Sequence, residues 1–333
     1  MKIAIIGATG HIGINMTIAL ARKGFSIKAI CRSPQKMKVI NEFNINTVKG
    51  NILDPSVLNR ELSDIDTVIN LAGKISINGD PDGSVMQTNV AGTENIVAAC
   101  LNNNVKKYIH FSSVHAFKYN RHTPIVNEEI PYADTSSFKY DQSKALGEKE
   151  VLKGIKKGLN ATIICPTAVI GPHDYFNSRS GEMLINLFTG KMPAIVYGGF
   201  DWVDVRDIIS AVIYILENGA ASSRYLLSGH WASFTQLANI CQKITGIRSA
   251  KIVLPVGVGI LGLPFIQLAR LFSKKPPLYT YESLMIIKNA NRNYSSALAK
   301  KELNYKVRPL EESIEDIYKW WKENKQLTGV TQV

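Results

Sequence analysis

The chain has 333 residues, with 39 Lys+Arg against 27 Asp+Glu, a formal charge of +12 and 45% hydrophobic residues. That balance excludes wholesale disorder, and the length suits a large domain with a smaller lobe better than one ordinary core. Thirteen dispersed prolines without a Gly-X-Y repeat exclude a fibrous chain.

In chain order, Lys2–Ile6 is a short apolar run that ends in glycines, and Gly10–Lys23 has apolar residues at helical spacing. Ser26–Cys31, Thr47–Lys49 and Thr67–Asn70 are strand-like. A long helical stretch runs from about Val85 to Asn103. Lys107–Ser112 is a strand with two serines at its exit, Phe138–Lys157 a helix, and Ala161–Cys165 a buried strand stopped by Pro166. This alternation predicts an α/β fold: a Rossmann-type, doubly wound parallel sheet with helices on both faces. The second half is less regular. Ser180–Thr189 and Ile208–Glu217 read as helices, and Trp202–Val205 and Arg224–Leu227 as strands. After those, Phe234–Thr245, Ile260–Phe272, Tyr281–Lys288, Ser295–Leu303 and Leu310–Glu323 all read as helices, so a smaller, mostly helical C-terminal substrate lobe is expected. The division predicted is residues 1–170 for the dinucleotide-binding domain, with 201–219 returning to it. Residues 171–200 and 220–333 then form the lobe.

Several partner classes recede at this level. The basic residues come as scattered doublets, from Arg22-Lys23 to Lys300-Lys301, with no run of five and no aromatic-interleaved platform. No nucleic-acid partner is expected. Cys31, Cys100, Cys165 and Cys241 are far apart in apolar stretches and read as reduced, buried thiols. The six histidines lack metal-ligand spacing, so no metal is expected. The apolar run at Met1–Gly7 is too short for a signal peptide, and a cytoplasmic location is expected. Ile252–Ala269 carries no charge but is broken by Pro255, Pro264, Gly257, Gly259 and Gly262, so no transmembrane span is predicted. It reads as a core helix of the lobe. The alternative is an apolar lid, or a peripheral membrane-docking surface aided by Arg270, Lys274 and Lys275.

Gly7-Ala8-Thr9-Gly10-His11-Ile12-Gly13 sits between a strand and a helix. Glycines there allow a tight turn and close approach of a pyrophosphate, and the helix N-terminus offers unpaired N–H groups. Gly7, Thr9, Gly10, His11, Ile12 and Gly13 are therefore candidate cofactor contacts. A carboxylate at the end of the second strand would select NAD. The chain has Cys31-Arg32-Ser33 instead, with Lys36 nearby, so Arg32 and Lys36 are candidates to hold a 2′-phosphate. NADP(H) is the expected cofactor, with NAD(H) the second choice. Tyr140 and Lys144 are four apart on a predicted helix and share a face. An ammonium beside a phenol favours the phenolate and brings a pKa near ~10 down toward the useful range. Tyr318 and Lys322 have the same spacing, but only Tyr140 follows a Ser-Ser pair at a strand exit.

The combination resembles the extended (atypical) short-chain dehydrogenase/reductases of the NAD-dependent epimerase/dehydratase superfamily. The residues that carry the resemblance are Gly7–Gly13, Gly50–Asp54, Asn70–Gly73, Asn89–Asn95, Phe111–Ser113, Tyr140-x-x-x-Lys144 with Glu148, Pro166–Pro172 and Asp201–Asp207. The resemblance implies Tyr140 as general acid/base, Lys144 as ribose anchor and Ser113 as the hydrogen-bond partner of the reacting oxygen. It implies Asn51 and Ile52 at the adenine, Leu71, Ala72 and Gly73 under the cofactor, and Pro166 near the nicotinamide. The family usually has Asp where Asn51 stands. Sugar-nucleotide members usually carry an Arg-Asp pair where this chain has Phe200-Asp201, and that Arg binds a diphosphate. The resemblance is therefore nearer the dihydroflavonol 4-reductase and 3β-hydroxysteroid dehydrogenase branch. It implies an enzyme interconverting a carbonyl and an alcohol on a small, apolar substrate, working as a monomer or homodimer. The alternatives are a nucleotide-sugar epimerase/dehydratase or a non-catalytic cofactor-binding scaffold. His115 and Lys74 follow strand ends and are candidates either for the pocket or, equally, for hydrogen-bonded loop roles, whereas Glu148 reads as a structural ion partner.

Overall fold

A computed structural model describes residues 1–264 and 279–324. Seven strands form one parallel sheet: β1 (Lys2–Ile6), β2 (Ser26–Cys31), β3 (Asn46–Lys49), β4 (Thr67–Asn70), β5 (Lys107–Phe111), β6 (Ala161–Pro166) and β10 (Arg224–Leu227). Between the last two lie β7 (Ala168–Ile170), β8 (Ala194–Val196) and β9 (Gly199–Asp204). β11 (His230–Ser233) and β12 (Ile252–Leu254) follow. The order in the large sheet is β10-β6-β5-β4-β1-β2-β3, so the chain reverses direction across the sheet between β1 and β4. A crevice opens at such a switch point, beyond the C-terminal strand ends.

The apolar strands are two-faced because successive side chains alternate sides. Ile3 and Ile5 of β1 face a core shared with α1 (His11–Arg22). Ala4 and Ile6 face the opposite core, which α2 (Pro55–Glu61) helps to cover. The long predicted helix over 85–103 is three pieces: α3 (Ser84–Met86), a π turn (Gln87–Ala91) and α4 (Gly92–Asn102). α4 packs beside α5 (Lys139–Lys156) on that second face. Glycines set the spacing. A Cβ on Gly147 of α5 would lie 2.5 Å from the Asn89 carbonyl, so only hydrogen lets α5 approach the π turn so closely.

The lobe has its own core. α6 (Arg179–Phe188), α8 (Phe234–Thr245), α10 (Tyr281–Asn289) and α12 (Leu310–Asn324) contribute Leu184, Phe188, Leu237, Leu284 and Ile314 to it. A three-stranded sheet, β11-β9-β7, joins the lobe to the body. α7 (Val205–Asn218) returns to pack on α1. The structure departs from the predicted division at two places. Arg224–Leu227, allotted to the lobe, pairs with Ile163–Pro166 and closes the large sheet. α11 (Ala297–Leu303) covers β10, with Ala299 and Leu303 in the body core.

A second correction concerns Ile252–Ala269. Ile252–Leu254 is a strand paired with β8, and α9 (Val256–Leu261) has no buried residue, so the described part is not a core helix. Ile252 and Leu261 are 55% and 76% exposed. The rest of that stretch, with Arg270, Lys274 and Lys275, lies outside the described residues. Among the described residues, no helix is long and apolar enough to cross a membrane.

Glu148 is fully buried on α5, with Arg224 of β10 3.0 Å away. Removing one member of a buried ion pair strands the other charge. Glu148→Ala should cost about 3–5 kcal/mol, seen as a lower urea midpoint, and Glu148→Gln should cost less.

Candidate active site

The first turn of α1 is built to receive an anion. Gly7 has φ +85°, and a Cβ there would sit 2.6 Å from the Ala72 nitrogen. A Cβ on Gly13 would sit 2.4 Å from the Gly7 carbonyl. Both positions need glycine, and together they bring the β1 turn, the β4 exit and α1 into contact. Gly10 caps α1 without any side-chain hydrogen bond, so the first-turn N–H groups are not covered by the helix's own cap. Thr9 and Ile12 are half-buried within this turn. The His11 ring points elsewhere than a phosphate: Nε2 lies 3.0 Å from the Pro172 carbonyl oxygen, and Asn15 donates to that same oxygen at 2.9 Å.

Arg32 leaves β2 exposed, and it has no ion pair among the described residues. Lys36 is engaged: its Nζ sits 4.5 Å from the centre of the Phe176 ring. Asn51 is exposed, and its side chain accepts from the Leu53 N–H at 3.1 Å. Ile52 packs on α4, where a Cβ on Gly92 would meet its Cδ1 at 2.4 Å. Leu71 donates its N–H to Ile6, and Ala72 donates to the Asn70 side chain. Gly73 is exposed. A Cβ there would come within 3.4 Å of Asn89 Oδ1 and 3.5 Å of Lys144 Nζ. The crevice from Gly10 past Gly73 to Lys144 is therefore an open cradle with backbone donors at one end and an ammonium at the other. An extended dinucleotide fits that donor set. Pro166 ends β6 and is buried.

Ser113, Tyr140 and Lys144 converge at the C-terminal ends of β5 and β6. Ser113 caps a short 3₁₀ turn, and its Oγ accepts from the His115 N–H at 3.2 Å. Lys144 donates to the Phe111 carbonyl at 3.0 Å. Burial lowers its pKa to about 8, against the pull of Glu148 one turn on. The expected depression of Tyr140 by Lys144 is not what the geometry gives. Burial pushes the Tyr140 phenol above its ordinary value, the Ser113 hydroxyl draws it partly back, and Asp141 raises it again. The phenol therefore keeps its proton at neutral pH.

Beside this group lies a cavity of about 560 Å³. Val114, His115, Phe138, Asp141, Thr167 and Ala168 line its near side; Phe200, Asp201, Met285 and Tyr294 are among its other walls. Asp201 accepts from Thr167 and from the Gly229 N–H, both at 2.6 Å. His115 lines the cavity as expected of a pocket residue. Lys74 does not: it is exposed and turns to Ser84 and Asp82. Glu148 lies behind the site, taking Arg224, the Ser112 hydroxyl and the Cys165 thiol. Sequence reasoning missed Asp141 of the cavity wall and Phe176 under Lys36. Only Asp141, adjacent to Tyr140, had a local signal.

The model of the NAD dependent epimerase/dehydratase family matches residues 3–227. Sterol demethylase protein B of Methylococcus capsulatus is 24% identical over 327 residues, which cover 97% of this chain and 99% of that protein. A putative dihydroflavonol 4-reductase of Synechocystis is 24% identical over 257 residues, 76% and 75% of the two chains. The crystal structure of gox2253 superposes with a TM-score of 0.83 at 28% identity, covering 97% and 98%. A UDP-glucose 4-epimerase of Thermotoga maritima, at TM-score 0.79 and 19% identity over 98% and 100%, shares the fold. With its switch-point cradle and the match over two-thirds of its length, the chain belongs to the NAD-dependent epimerase/dehydratase family, as an NAD(P)-dependent enzyme of the extended short-chain dehydrogenase/reductase type.

Proposed function

We propose that this enzyme is an NADP(H)-dependent oxidoreductase that interconverts a carbonyl and an alcohol on a small, largely apolar substrate. The observation that carries the reading is the cavity wall at Phe200 and Asp201. A diphosphate needs a cation there, and the Phe200 ring supplies none. Phe200 stacks edge-on against Trp202 and Phe234 at 5.8 and 5.6 Å, which fixes it as an apolar surface. The sterol and dihydroflavonol names of two relatives support a ring-bearing, apolar substrate. The lobe, drawn from 171–200 and most of 220–333, supplies this substrate side, and the chain acts as a monomer or homodimer.

The dinucleotide, when bound, supplies the hydride that reaches the carbonyl carbon. Tyr140 gives its proton to the carbonyl oxygen, and its raised pKa keeps that proton available. Ser113 Oγ is oriented by the His115 N–H and hydrogen-bonds Tyr140, and its hydroxyl turns to the same carbonyl oxygen when substrate is present. Lys144 Nζ, beside Gly73, holds the nicotinamide ribose. Pro166 borders the nicotinamide. The backbone of Thr9, Gly10, His11 and Ile12 receives the diphosphate, in a turn that Gly7 and Gly13 allow to pack closely. Leu71, Ala72 and Gly73 pass under the cofactor, and Asn51 with Ile52 flanks the adenine. Arg32 pairs with the 2′-phosphate, and Lys36 adds to the positive field from its seat on Phe176.

Three measurements follow. Tyr140→Phe should lower kcat by about 10²–10⁴-fold while NADPH still quenches protein fluorescence with unchanged affinity; near-normal turnover would overturn the assignment. Arg32→Glu should raise the KM for NADPH by about tenfold or more while sparing NADH, and a wild-type preference for NADH would sink the cofactor choice. Lys144 is charged below about 8 and loses its proton above it. Dinucleotide affinity should therefore fall as pH rises through 8, and Lys144→Met should flatten that limb. Steroid, flavonoid and simple aldehyde carbonyls, followed by NADPH absorbance, identify the substrate. Turnover of UDP- or GDP-sugars with tightly carried NAD would replace the reading altogether.

A further inference from the structure

The lobe carries an exposed apolar corner that the reduction step does not use. β8 and β12 form a two-stranded parallel sheet of their own, with Ala194 opposite Ile252 and Val196 opposite Leu254. Its ends are tied by the Ala250 N–H, which donates to the Met192 carbonyl at 2.7 Å, and by the Tyr197 N–H, which donates to the Leu254 carbonyl at 2.8 Å. α9 leaves this sheet directly through Pro255, and no residue of it is buried. Its Gly259 rests on the sheet: a Cβ there would lie 3.2 Å from Val196 Cγ1. At the other end, a Cβ on Gly190 would lie 3.1 Å from Ile247. Six of the twelve exposed large apolar side chains among the described residues fall in this corner: Tyr197, Ile247, Ile252, Val253, Val258 and Leu261. A lone exposed apolar residue needs no explanation, whereas a group of them marks a contact surface.

The charge in these segments has one sign. Lys191, Arg248 and Lys251 are exposed beside the apolar residues along the chain, and none has an ion pair among the described residues. The corner is drawn from residues 183–200 and 218–281, and neither stretch contains Asp or Glu; all 27 carboxylates of the chain lie outside them. Those that border the two stretches are engaged or distant. Asp201 and Glu282 are buried and accept from Thr167 and Gly79. Glu217 pairs with Lys23 of the body, and Glu182 sits in the first turn of α6, at the end away from Lys191.

We propose that this corner docks on an anionic lipid bilayer, with the aliphatic side chains of β12 and α9 entering the headgroup region and Lys191, Arg248 and Lys251 pairing with lipid phosphates. The aliphatic groups gain by leaving water, and each basic residue near an anionic leaflet adds to the attraction. A second copy of the chain is the poorer occupant. A two-fold contact would lay the patch on itself and set its cations against one another. A nucleic acid would satisfy the cations but leave the apolar side chains in water. The proposal does not depend on the reductase reading, since lipid binding needs neither cofactor nor substrate.

The test is flotation of the full chain with vesicles of phosphatidylcholine alone, and of equal parts phosphatidylcholine and phosphatidylglycerol. The protein should float with the mixed vesicles and stay behind with the neutral ones, and raised salt should weaken the binding. Replacing all three cations, Lys191→Gln, Arg248→Gln and Lys251→Gln, should weaken binding to the mixed vesicles about a hundredfold. Ile252→Ser with Leu261→Ser should weaken it about tenfold or more. All five positions are exposed, so the melting temperature should hold in both variants. A second readout reports insertion. The four native cysteines are buried, so the Leu261→Cys thiol takes a polarity-sensitive fluorophore selectively. Its emission should shift to the blue on mixed vesicles, and the same label in Leu146→Cys, on α5 of the body, should not move. Equal flotation with both vesicles, no flotation, or an unmoved Leu261 label would overturn the proposal. Self-association without lipid that Leu261→Ser abolishes would name a second copy as the occupant and overturn it as well.

Discussion

Burial of one ammonium sets the terms for everything around it. Lys144 sits inside the body of the protein, 8% exposed, with the Phe111 carbonyl as its hydrogen-bond partner. A buried cation is costly without a counter-charge, and Glu148 supplies one a helical turn away. Glu148 is itself fully buried: the Arg224 guanidinium stands 3.0 Å from one oxygen as its counter-charge, and the Ser112 hydroxyl and the Cys165 thiol donate to the other. Arg224 in turn lies 3.8 Å over the Phe117 ring and 4.5 Å over Tyr132. Four elements, α5, β5, β6 and β10, are thereby tied to the position of one nitrogen atom. The Ser113 and Tyr140 hydroxyls are carried on two of those elements or on the turn that leaves them.

The same economy governs the other end of the crevice. At Gly7 and Gly13 backbone already occupies the space a Cβ would need, whereas at Gly73 a Cβ would make ordinary contact with Asn89 Oδ1 and Lys144 Nζ. The Pro172 carbonyl, shared by His11 and Asn15, then fastens the start of α1 to the segment that leads into the lobe.

Much of the body was legible because its signals are local. β1, β2 and β10 fall where apolar runs stop at glycines or polar residues, and the βα alternation leads directly to the parallel sheet. The convergence of Ser113, Tyr140 and Lys144 was legible through spacing and context. The rest depends on partners far apart in the chain. Arg224 finds Glu148 from 76 residues away, so the pair leaves no local pattern. The apolar stretch near 252 misled because hydrophobicity without periodicity does not distinguish a core helix from an exposed strand followed by a short, only partly covered helix. The phenol of Tyr140 misled for a related reason. Charge proximity is visible in spacing, whereas desolvation depends on what packs around the group.

The π turn at Gln87–Ala91 has a consequence for how this chain tolerates length change. A π turn accommodates one residue more than an α-helix would. Here the wide turn presents Asn89, whose amide donates to the Lys74 carbonyl and the Ser143 hydroxyl while its oxygen accepts from the Lys74 N–H. Loss of a single residue from this stretch would let the turn close to regular winding with the residues after it near their present phase, so Gly92 would stay on Ile52 and α4 on α5. What would go is the presentation of Asn89, and with it the bonds to Lys74 and Ser143. A deletion farther along α4, where no turn is wide, is instead a matter of phase, about 100° for each residue lost.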